Sequence, residues 1–488
     1  MGIVQNQSIK NTVITFFGFG IGAINALFFY THFLGKEHYG IVSTLLSGAN
    51  IMMPLMAFGA QNTIIRFYTQ YDSEAKRERF LAFMALVPFY LMIPIGVLFY
   101  FFYDSIASYW VTENPTLQPF FGLIPVIGFL MAYFEVFYAW VKVHLRSVYG
   151  NFIYEVFGRA LIMFHLILLH FDYLTKAQFI YSVTGIYALQ TVVMFAYAMR
   201  VRRPSFALQI PHNFKEIFYY SSFIIVSGGI AVMLVDFDKV MIPQYLPIAH
   251  NAVYSVAIFI ATVIAVPYRA MNQIVSPITA RLMVQEKWGE LQELYQKTSI
   301  NLQITGGLLL VLILTNIHML YRIIPDNYDG GVWVVFMIGI SKYYDVLLGN
   351  NNAIIVNTRY YRMVLFFGVA TVVLMIVLNA ICIPLYGING SALATLLTIM
   401  LYNTVKFVFV VKKLKLFPFT QHTVRSVVVL LVVFGLFYAW EFPFHPIINI
   451  GFKSLLVAPL YLFAHYYWGV SEEVNEVMDR FLPRFLKR

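Results

Sequence analysis

The feature that most constrains this chain is a succession of apolar stretches, each about twenty residues long and separated by short polar loops. A helix of that length crosses roughly 30 Å of hydrocarbon, because each residue adds about 1.5 Å. Hydrocarbon offers no partner to exposed backbone groups, so only helices and closed barrels cross it. The ten-residue alternation of a barrel is absent from the sequence. The sequence therefore predicts an all-α integral membrane protein.

About fourteen membrane-spanning helices are predicted in this way. Their ranges are 11–33, 41–64, 80–103, 118–141, 152–170, 178–199, 217–236, 249–275, 298–320, 332–350, 361–383, 387–410, 425–441 and 446–468. Two further segments, 282–297 and the tail from Ser471, show helical apolar spacing and are expected to lie along the membrane surface.

Composition agrees with a lipid environment and excludes several functions. Sixty per cent of the residues are hydrophobic and 11% are charged, whereas about a quarter of a soluble protein is charged. The net charge of +10 is spread over many short loops, which argues against nucleic acid as a partner. Cys382 has no partner for a disulfide, and neither metal-ligand spacing nor a nucleotide or hydrolase motif occurs. We therefore expect no catalytic residues, no metal and no cofactor.

The lysines and arginines predict the orientation of the helices. With the N-terminus in the cytoplasm, 24 of the 33 basic residues fall in loops on one side. The opposite loops hold only Lys36, Lys176, Lys239 and Arg322. Positive loops face the cytoplasm, so both termini are predicted to be cytoplasmic.

A few charged residues lie inside the predicted spans, where lipid exposure costs a few kcal/mol, about 2.5 to 3.5 at the helix centre on insertion scales. Lys342 and Asp345 share one helix face and are either a structural pair or a switch that faces a cavity. Arg269 follows Pro267 and either lines an interior or reaches the interface. Glu135 and Arg159 have opposite signs at similar depth, which favours an ion pair.

Other polar positions complete the candidate site. Arg66 closes the second span, where it is expected to be a basic anchor at the cytoplasmic face. Asn25 lies in the middle of the first span, and Gln190 and His165 lie at similar depth in the sixth and fifth spans. Asp236, Asp238 and Lys239 are expected on a solvated loop face, with an external gate as the alternative. The candidate substrate-binding set is therefore Arg269, Lys342, Asp345, Arg66, Arg159, Glu135 and Asn25.

Two spacings concern architecture. Tyr39 precedes Arg66 by 27 residues, and Tyr254 precedes Arg281 by the same interval, six spans later. This echo is typical of transporters built from two related halves. Gly18 and Gly22 form a GxxxG spacing in the first span, which favours close helix approach.

Three segments resemble bacterial oligosaccharide flippases of the multidrug/oligosaccharidyl-lipid/polysaccharide exporter superfamily. Residues 34–68 contain a G-x-x-x-Y-G turn before the second span, 236–257 place an aspartate and a later tyrosine at the entry to the eighth, and 386–398 begin the twelfth with small residues. The sequence departs from the family at Val253, where a glycine is usual before the tyrosine.

The resemblance implies a V-shaped pair of six-helix lobes around a central cavity. The lobes would be 1–200 and 201–411, with two further helices and an amphipathic tail in 412–488. It also implies a monomer in the bacterial cytoplasmic membrane that flips polyprenyl-diphosphate-linked oligosaccharides by alternating access, driven by an ion gradient or potential. An ion-coupled multidrug exporter and a membrane-embedded glycan transferase or ligase remain the alternatives.

Overall fold

The computed structural model describes residues 2–203, 210–325 and 328–481, and every regular element within these ranges is a helix. The prediction of an all-α membrane protein is confirmed. The chain divides into two compact units, Met1–Ser255 and Val256–Arg488. The division into two related lobes, 1–200 and 201–411, stays a prediction.

The first unit holds seven long helices and the start of an eighth, within the part of the chain that the structure describes. They are α1 (Lys10–Leu34), α2 (Lys36–Ala57), α3 (Glu74–Phe101), α4 (Leu123–Val143), α5 (Ser147–His170), α6 (Lys176–Val201), α7 (Phe214–Tyr245) and the beginning of α8 (Ala249–Val284). Three shorter helices, Ala60–Phe67, Tyr103–Val111 and Pro115–Phe120, connect them.

The second unit continues α8 and adds five long helices among its described residues. They are α9 (Trp288–Ile323), α10 (Val332–Leu347), α11 (Arg362–Leu414), α12 (Gln421–Tyr438) and α13 (Pro446–Tyr467). The short helices Asn351–Val356 and Glu472–Phe481 lie between α10 and α11 and after α13.

Twelve helices of the described residues are long and apolar enough to cross a membrane. The predicted eleventh and twelfth spans are the two arms of α11, and the chain bends back on itself between them at Gly387, where φ is +61°. Ser391 Oγ donates to Asn379 Oδ1 at 2.8 Å, although twelve residues of a straight helix would span about 18 Å. The predicted tenth span forms α10, which has only 16 residues. The count of twelve takes the two arms of α11 as one helix and omits α10, which accounts for the difference from the predicted fourteen.

Left-handed backbone positions explain the glycines around the second span. Gly35 has a φ of +78° and separates α1 from α2, while Phe58 and Gly59 end α2 with φ values of +48° and +63°. Glycine adopts such angles without steric penalty. Arg66 consequently lies on the separate helix Ala60–Phe67, and the prediction that it closes the second span is wrong.

The interior of the first unit is built on α2 and α4, which pack against each other. In their most apolar windows 61% and 67% of the residues are buried inside the protein, against 11% in α1 and α7. In the second unit α9 has the central place and packs against α8, α10, α12 and α13. The polar residues carried by α2 and α4 are therefore enclosed by protein.

The two predicted surface segments have different outcomes. A separate helix over 282–297 is not formed, because α8 runs to Val284 and α9 starts at Trp288. The tail forms the short helix Glu472–Phe481, and Leu482 and the residues after it lie outside the described residues.

Candidate functional site

The first unit encloses a cavity of about 200 Å³ between α2, α4, α5 and α6. Arg159 on α5 and Glu135 on α4 both face it, each near the middle of its helix. Amide and hydroxyl groups, aromatic rings and aliphatic side chains complete the wall, which consists of Asn50, Met53, Met131, Phe134, Tyr154, Gly158, Ile162, Tyr187, Gln190 and Thr191. The cavity thus brings a cation, a carboxylate and two amides together at membrane depth.

Arg159 is paired with the carboxylate one helical turn before it. Its Nη1 lies 2.9 Å from Glu155 Oε2, and their side chains are 34% and 15% exposed. The predicted ion pair between Arg159 and Glu135 is therefore wrong in the structure as described. The i,i+4 spacing lets Glu155 reach Arg159 along its own helix, whereas Glu135 belongs to another helix.

Helix α1 supports this pair through its two small residues. A Cβ atom at Gly18 would overlap the backbone carbonyl of Glu155, and one at Gly22 would lie 3.4 Å from Arg159 Cδ. Asn25, one turn further, is buried and donates from Nδ2 to the Arg159 carbonyl at 2.9 Å. The close helix approach predicted from the GxxxG spacing is confirmed, and Asn25 contacts the backbone that carries Arg159.

Among the described residues Glu135 makes no hydrogen bond or ion pair, and the charge that acts on its carboxylate is that of Lys142. The nearest cation on its own helix is Lys142, two turns away, whose Nζ lies 3.6 Å from the centre of the Tyr138 ring. Gln190, also on the wall, donates from Nε2 to the Ile153 carbonyl at 2.9 Å. The carboxylate of Glu135 is thus left facing the cavity.

A buried polar network adjoins the cavity through Asn50. Asn50 Nδ2 donates to Asp236 Oδ2 at 3.2 Å, and Ser47 Oγ donates to Asp236 Oδ1 at 3.0 Å. Lys239 Nζ lies 3.2 Å from the same Oδ1. The expectation of a solvated loop face for this cluster is wrong, because α7 continues past it to Tyr245 and packs its acidic residues against α2.

Asp238 is also buried, with 3% exposure, and accepts a hydrogen bond from the Tyr254 hydroxyl at the start of α8. On the same side, Ser43 and Ser255 are joined by a hydrogen bond of 2.5 Å, and Asn251 Nδ2 donates to Thr44 Oγ1 at 2.8 Å. These contacts fix the first turns of α8 against α2. A Cβ atom at Gly40 would overlap the carbonyl of Ile248, so this approach requires glycine.

The second unit has its own polar cluster at α10 and α11. Asp345 Oδ1 accepts a hydrogen bond from Asn403 Nδ2 at 3.0 Å. Lys406, one turn after Asn403, is buried, and its Nζ lies 4.1 Å from the centre of the Tyr402 ring. Lys342 lies half-buried one turn before Asp345 on α10. The pairing of Lys342 with Asp345 stays a prediction.

The two remaining candidate cations are both exposed. Arg269 lies on α8, and its guanidinium has no hydrogen bond or ion pair with the described residues. Arg66 lies with its guanidinium carbon 4.3 Å from the centre of the Tyr220 ring on α7. An aromatic face of this kind holds a cation in place without neutralising it.

Comparison with known proteins settles the family. The family described as "Polysaccharide biosynthesis protein" matches residues 4–283, more than half of the chain. The chain belongs to this family. A curated relative from Salmonella typhi, a "Putative O-antigen transporter", is 19% identical over 332 residues, covering 65% of this chain and 74% of the relative.

Solved structures support the fold of this polysaccharide biosynthesis family member. A structure of "Lipid II flippase MurJ, inward closed conformation" superposes with a TM-score of 0.71 at 14% identity, covering 94% of this chain and 99% of that one. The "MATE multidrug transporter DinF-BH" superposes with a TM-score of 0.54 at 14% identity, covering 86% and 97%. The fold of the chain is therefore similar to that of these two membrane proteins.

Sequence reasoning missed three groups of polar residues. Glu155 had a usable signal, its four-residue spacing from Arg159. Asn50 had none, because its partner Asp236 is 186 residues away along the chain. Asn403 and Lys406 meet Asp345 only through the packing of α11 on α10.

Proposed function

We propose that this chain moves a polyprenyl-diphosphate-linked oligosaccharide across the bacterial cytoplasmic membrane by alternating access, as a monomer with both termini in the cytoplasm. Family membership supports a role in polysaccharide biosynthesis, and the relative from Salmonella typhi is named as an O-antigen transporter. The sequence contains no nucleotide-binding motif, so an ion gradient or membrane potential supplies the driving force.

The observation that carries the proposal is the charged cavity of the first unit. A diphosphate with attached sugars cannot enter hydrocarbon, because its hydration must be replaced. Arg159 and the amides of Asn50 and Gln190 each have N–H donors beyond the one that their protein partner uses, and these provide part of such replacement near the middle of the bundle. A cavity of about 200 Å³ holds part of a headgroup, while the polyprenyl tail stays in lipid.

Two cations of the second unit, Arg269 and Lys342, are also proposed to bind a diphosphate group. Arg269 has an exposed guanidinium without a partner among the described residues, and exposure to lipid would be costly at that depth. Arginine binds phosphate through forked donors, and lysine acts as a point charge, which suits Lys342 for the same ligand. Asp345, already hydrogen-bonded to Asn403, would hold Lys342 when substrate is absent.

The test uses the purified chain in liposomes that contain a polyprenyl-diphosphate-linked oligosaccharide. Movement is measured as the fraction of glycan that becomes accessible to an impermeant glycosidase. The wild type is expected to move the glycan, and Arg269→Ala is expected to reduce the rate at least tenfold with unchanged protein incorporation. The control is Lys415→Ala, which also removes one cation but lies in the turn after α11, and it should leave the rate unchanged.

A multidrug exporter is the second candidate, because Glu135 offers a carboxylate to a cationic drug inside the cavity. The same liposomes distinguish the two functions. Accumulation of a cationic dye with no movement of the glycan would contradict the flippase proposal and favour the exporter.

A further inference from the structure

The turn between α7 and α8 has backbone groups that helical geometry leaves without partners. Pro243 and Pro247 lack an N–H group, and each lies where the donor to the carbonyl four residues earlier would be. The carbonyls of Lys239 and Pro243 therefore have no helical donor, and the N–H of Ile248 precedes the first turn of α8. Pro243 and Ile248 are buried, so these groups need side chains from elsewhere in the protein.

Asn114, in the connector between α3 and α4 (102–122), satisfies three groups of this turn. Its Nδ2 donates to the Pro243 carbonyl at 2.7 Å and to the Leu246 carbonyl at 3.1 Å. Its Oδ1 accepts from the Ile248 N–H at 2.6 Å. Asn114 is 4% exposed, so these hydrogen bonds are shielded from water. One side chain thus completes both the end of α7 and the start of α8.

The connector also reaches α7 through Trp110, and it is fixed to α3. Trp110 Nε1 donates to the Val240 carbonyl at 2.7 Å. The centre of the Trp110 ring lies 5.2 Å from that of Phe121, which is buried and lies 5.8 Å from the ring centre of Phe99 on α3. The backbone N–H of Asn114 donates to the Trp110 carbonyl at 3.1 Å. The connector is therefore anchored on α3 and presents two side chains to the end of α7.

The turn that is held in this way closes against α2. Asn251 Nδ2 donates both to the Lys239 carbonyl, at 2.9 Å, and to Thr44 Oγ1, at 2.8 Å. The hydroxyls of Ser43 and Ser255 are hydrogen-bonded, and both residues are buried. The contact between α2 and the first turns of α8 is thus nearly excluded from solvent, at the end of the bundle that is predicted to be external.

Asn114 and Trp110 hold this end of α7 by hydrogen bonds to its backbone. Backbone groups bond to water when they are exposed, so separating such a contact exchanges protein partners for water at small net cost. Interlocked apolar side chains would lose their contacts without that replacement. The contact is therefore suited to opening and forming again.

We propose that the connector 102–122 is a latch with Asn114 at its centre, an inference that rests on the alternating access of the proposed function. The latch is engaged in the conformation described, where it keeps the external ends of α2 and α8 together. Its release precedes opening of this side. Asn114 thereby has a role that is separate from binding of the substrate.

The test measures how fast Ser43→Cys reacts from outside. The substitution is made in a chain whose Cys382 has been replaced, and intact cells are treated with an impermeant thiol reagent. With the latch intact, Ser43→Cys should react slowly but to completion, because the external side opens only transiently. Asn114→Ala should raise the rate about fivefold or more, the effect of roughly one lost hydrogen bond. Trp110→Phe, which keeps an aromatic ring on Phe121, should raise it less.

Two controls accompany these variants. Thr112→Ala changes the same connector but removes an exposed hydroxyl, which donates to the Ser108 carbonyl within the connector. It should leave the labelling rate of Ser43→Cys unchanged. Ala139→Cys, at a buried position of α4, should stay unreactive in every variant.

Three results would overturn the latch. One is an equal labelling rate of Ser43→Cys in Asn114→Ala and in Thr112→Ala. Another is a rise of Ala139→Cys labelling together with that of Ser43→Cys, which would show a general loss of packing. The third is a Ser43→Cys that never reacts, since the external side would then not open.

The labelling requires no glycan, which separates the latch from the proposed function. If Asn114→Ala accelerates labelling of Ser43→Cys but the wild type moves no glycan in liposomes, the proposed substrate is wrong and the latch stands. If the wild type moves glycan and Asn114→Ala leaves the labelling rate unchanged, the latch is wrong and the proposed function stands.

Discussion

At the scale of single residues, the structure shows charged groups stabilised by local partners. Arg159 is held by Glu155 on its own helix, and Lys239 by Asp236 three residues before it. Such short-range pairs form as soon as a helix forms, so each charge can enter the membrane already compensated. Arg269 has no such partner among the described residues, and Glu135 forms no ion pair there, its carboxylate being acted on by the charge of Lys142 two turns along α4.

Loss of Glu155 is expected to destabilise the protein because it leaves the guanidinium of Arg159 unpaired. Since the Arg159 side chain is 34% exposed, solvent reduces the cost, and we expect Glu155→Ala to lower the free energy of unfolding by about 1 to 2 kcal/mol. Denaturant unfolding in detergent, followed by tryptophan fluorescence, measures it. The double variant Arg159→Ala/Glu155→Ala should lose less free energy of unfolding than the two single variants lose in sum. Simple additivity of the two losses would contradict the pairing.

The pairing predicted between Lys342 and Asp345 is tested by removing one or both side chains. Lys342→Ala should abolish glycan export while leaving the amount of protein in the membrane near normal, because the cation is proposed to hold the diphosphate. A purely structural pair should tolerate joint removal better than loss of either partner. Normal export by the double alanine variant would remove Lys342 from the substrate site.

One hydroxyl outside the membrane-spanning helices has a strongly shifted pKa. Burial of Tyr71, in the turn between Phe67 and α3, raises the pKa of its hydroxyl to about 12. The raised pKa keeps the Tyr71 hydroxyl protonated further into the alkaline range, and the hydroxyl donates to Asn213 Oδ1 at 2.7 Å. This hydrogen bond joins the turn to the residue that precedes α7.

At the scale of helices, small residues decide which faces meet. Gly18 lies against the backbone carbonyl of Glu155 on α5, and Gly40 lies against that of Ile248, the residue before α8. A side chain at either position would push the two helices apart. Without a hydrophobic force between helices in lipid, such close packing is what holds them together. The glycines thus specify the contact of α1 with α5 and of α2 with the start of α8.

Two glycines of α1 provide a matched pair for testing this explanation. A Cβ atom at Gly18 would overlap the Glu155 carbonyl, whereas nothing lies within 4 Å of a Cβ atom at Gly20. Gly18→Leu is expected to destabilise the protein by about 1 to 3 kcal/mol, because backbone atoms must shift. Gly20→Leu should have little effect.

Thermal unfolding of the two variants in the same detergent compares them. Equal melting temperatures for Gly18→Leu and Gly20→Leu would show that α1 does not pack on α5 as described.

At the scale of the whole molecule, the basic loops predict the orientation of every helix. Single cysteines near Lys76, Arg202, Lys287 and Lys412 should react with an impermeant thiol reagent only from the cytoplasm. Cysteines near Glu113 and Asp172 should react only from outside, and so should one near Asp326, which lies outside the described residues.

These variants are made after Cys382, which is buried, has been replaced to clear the background. Labelling of intact cells measures reaction from outside, and labelling of inverted membrane vesicles measures reaction from the cytoplasmic side. A loop that reacts from the wrong side would change the count of crossings at that point, most informatively around α10, which is short, and α11, which bends back on itself at Gly387.

The sequence by itself determined the class of the protein, its helical content and most helix positions. The reason is that hydrocarbon imposes one rule on every spanning segment, sufficient apolar length with internally satisfied backbone groups. The short-range consequences of helical geometry were equally accessible, including the Gly18 and Gly22 face and, in principle, the Glu155–Arg159 pair.

Only the tertiary structure decided which distant residues meet. Asn50 and Asp236 are 186 residues apart in the chain, yet they are hydrogen-bonded because α2 and α7 pack together. For the same reason Glu135 and Arg159 face one cavity without pairing, and the acidic residues of α7 are buried where a solvated loop was expected. Burial and partnership depend on which helix faces are apposed, and no local pattern of residues encodes that choice.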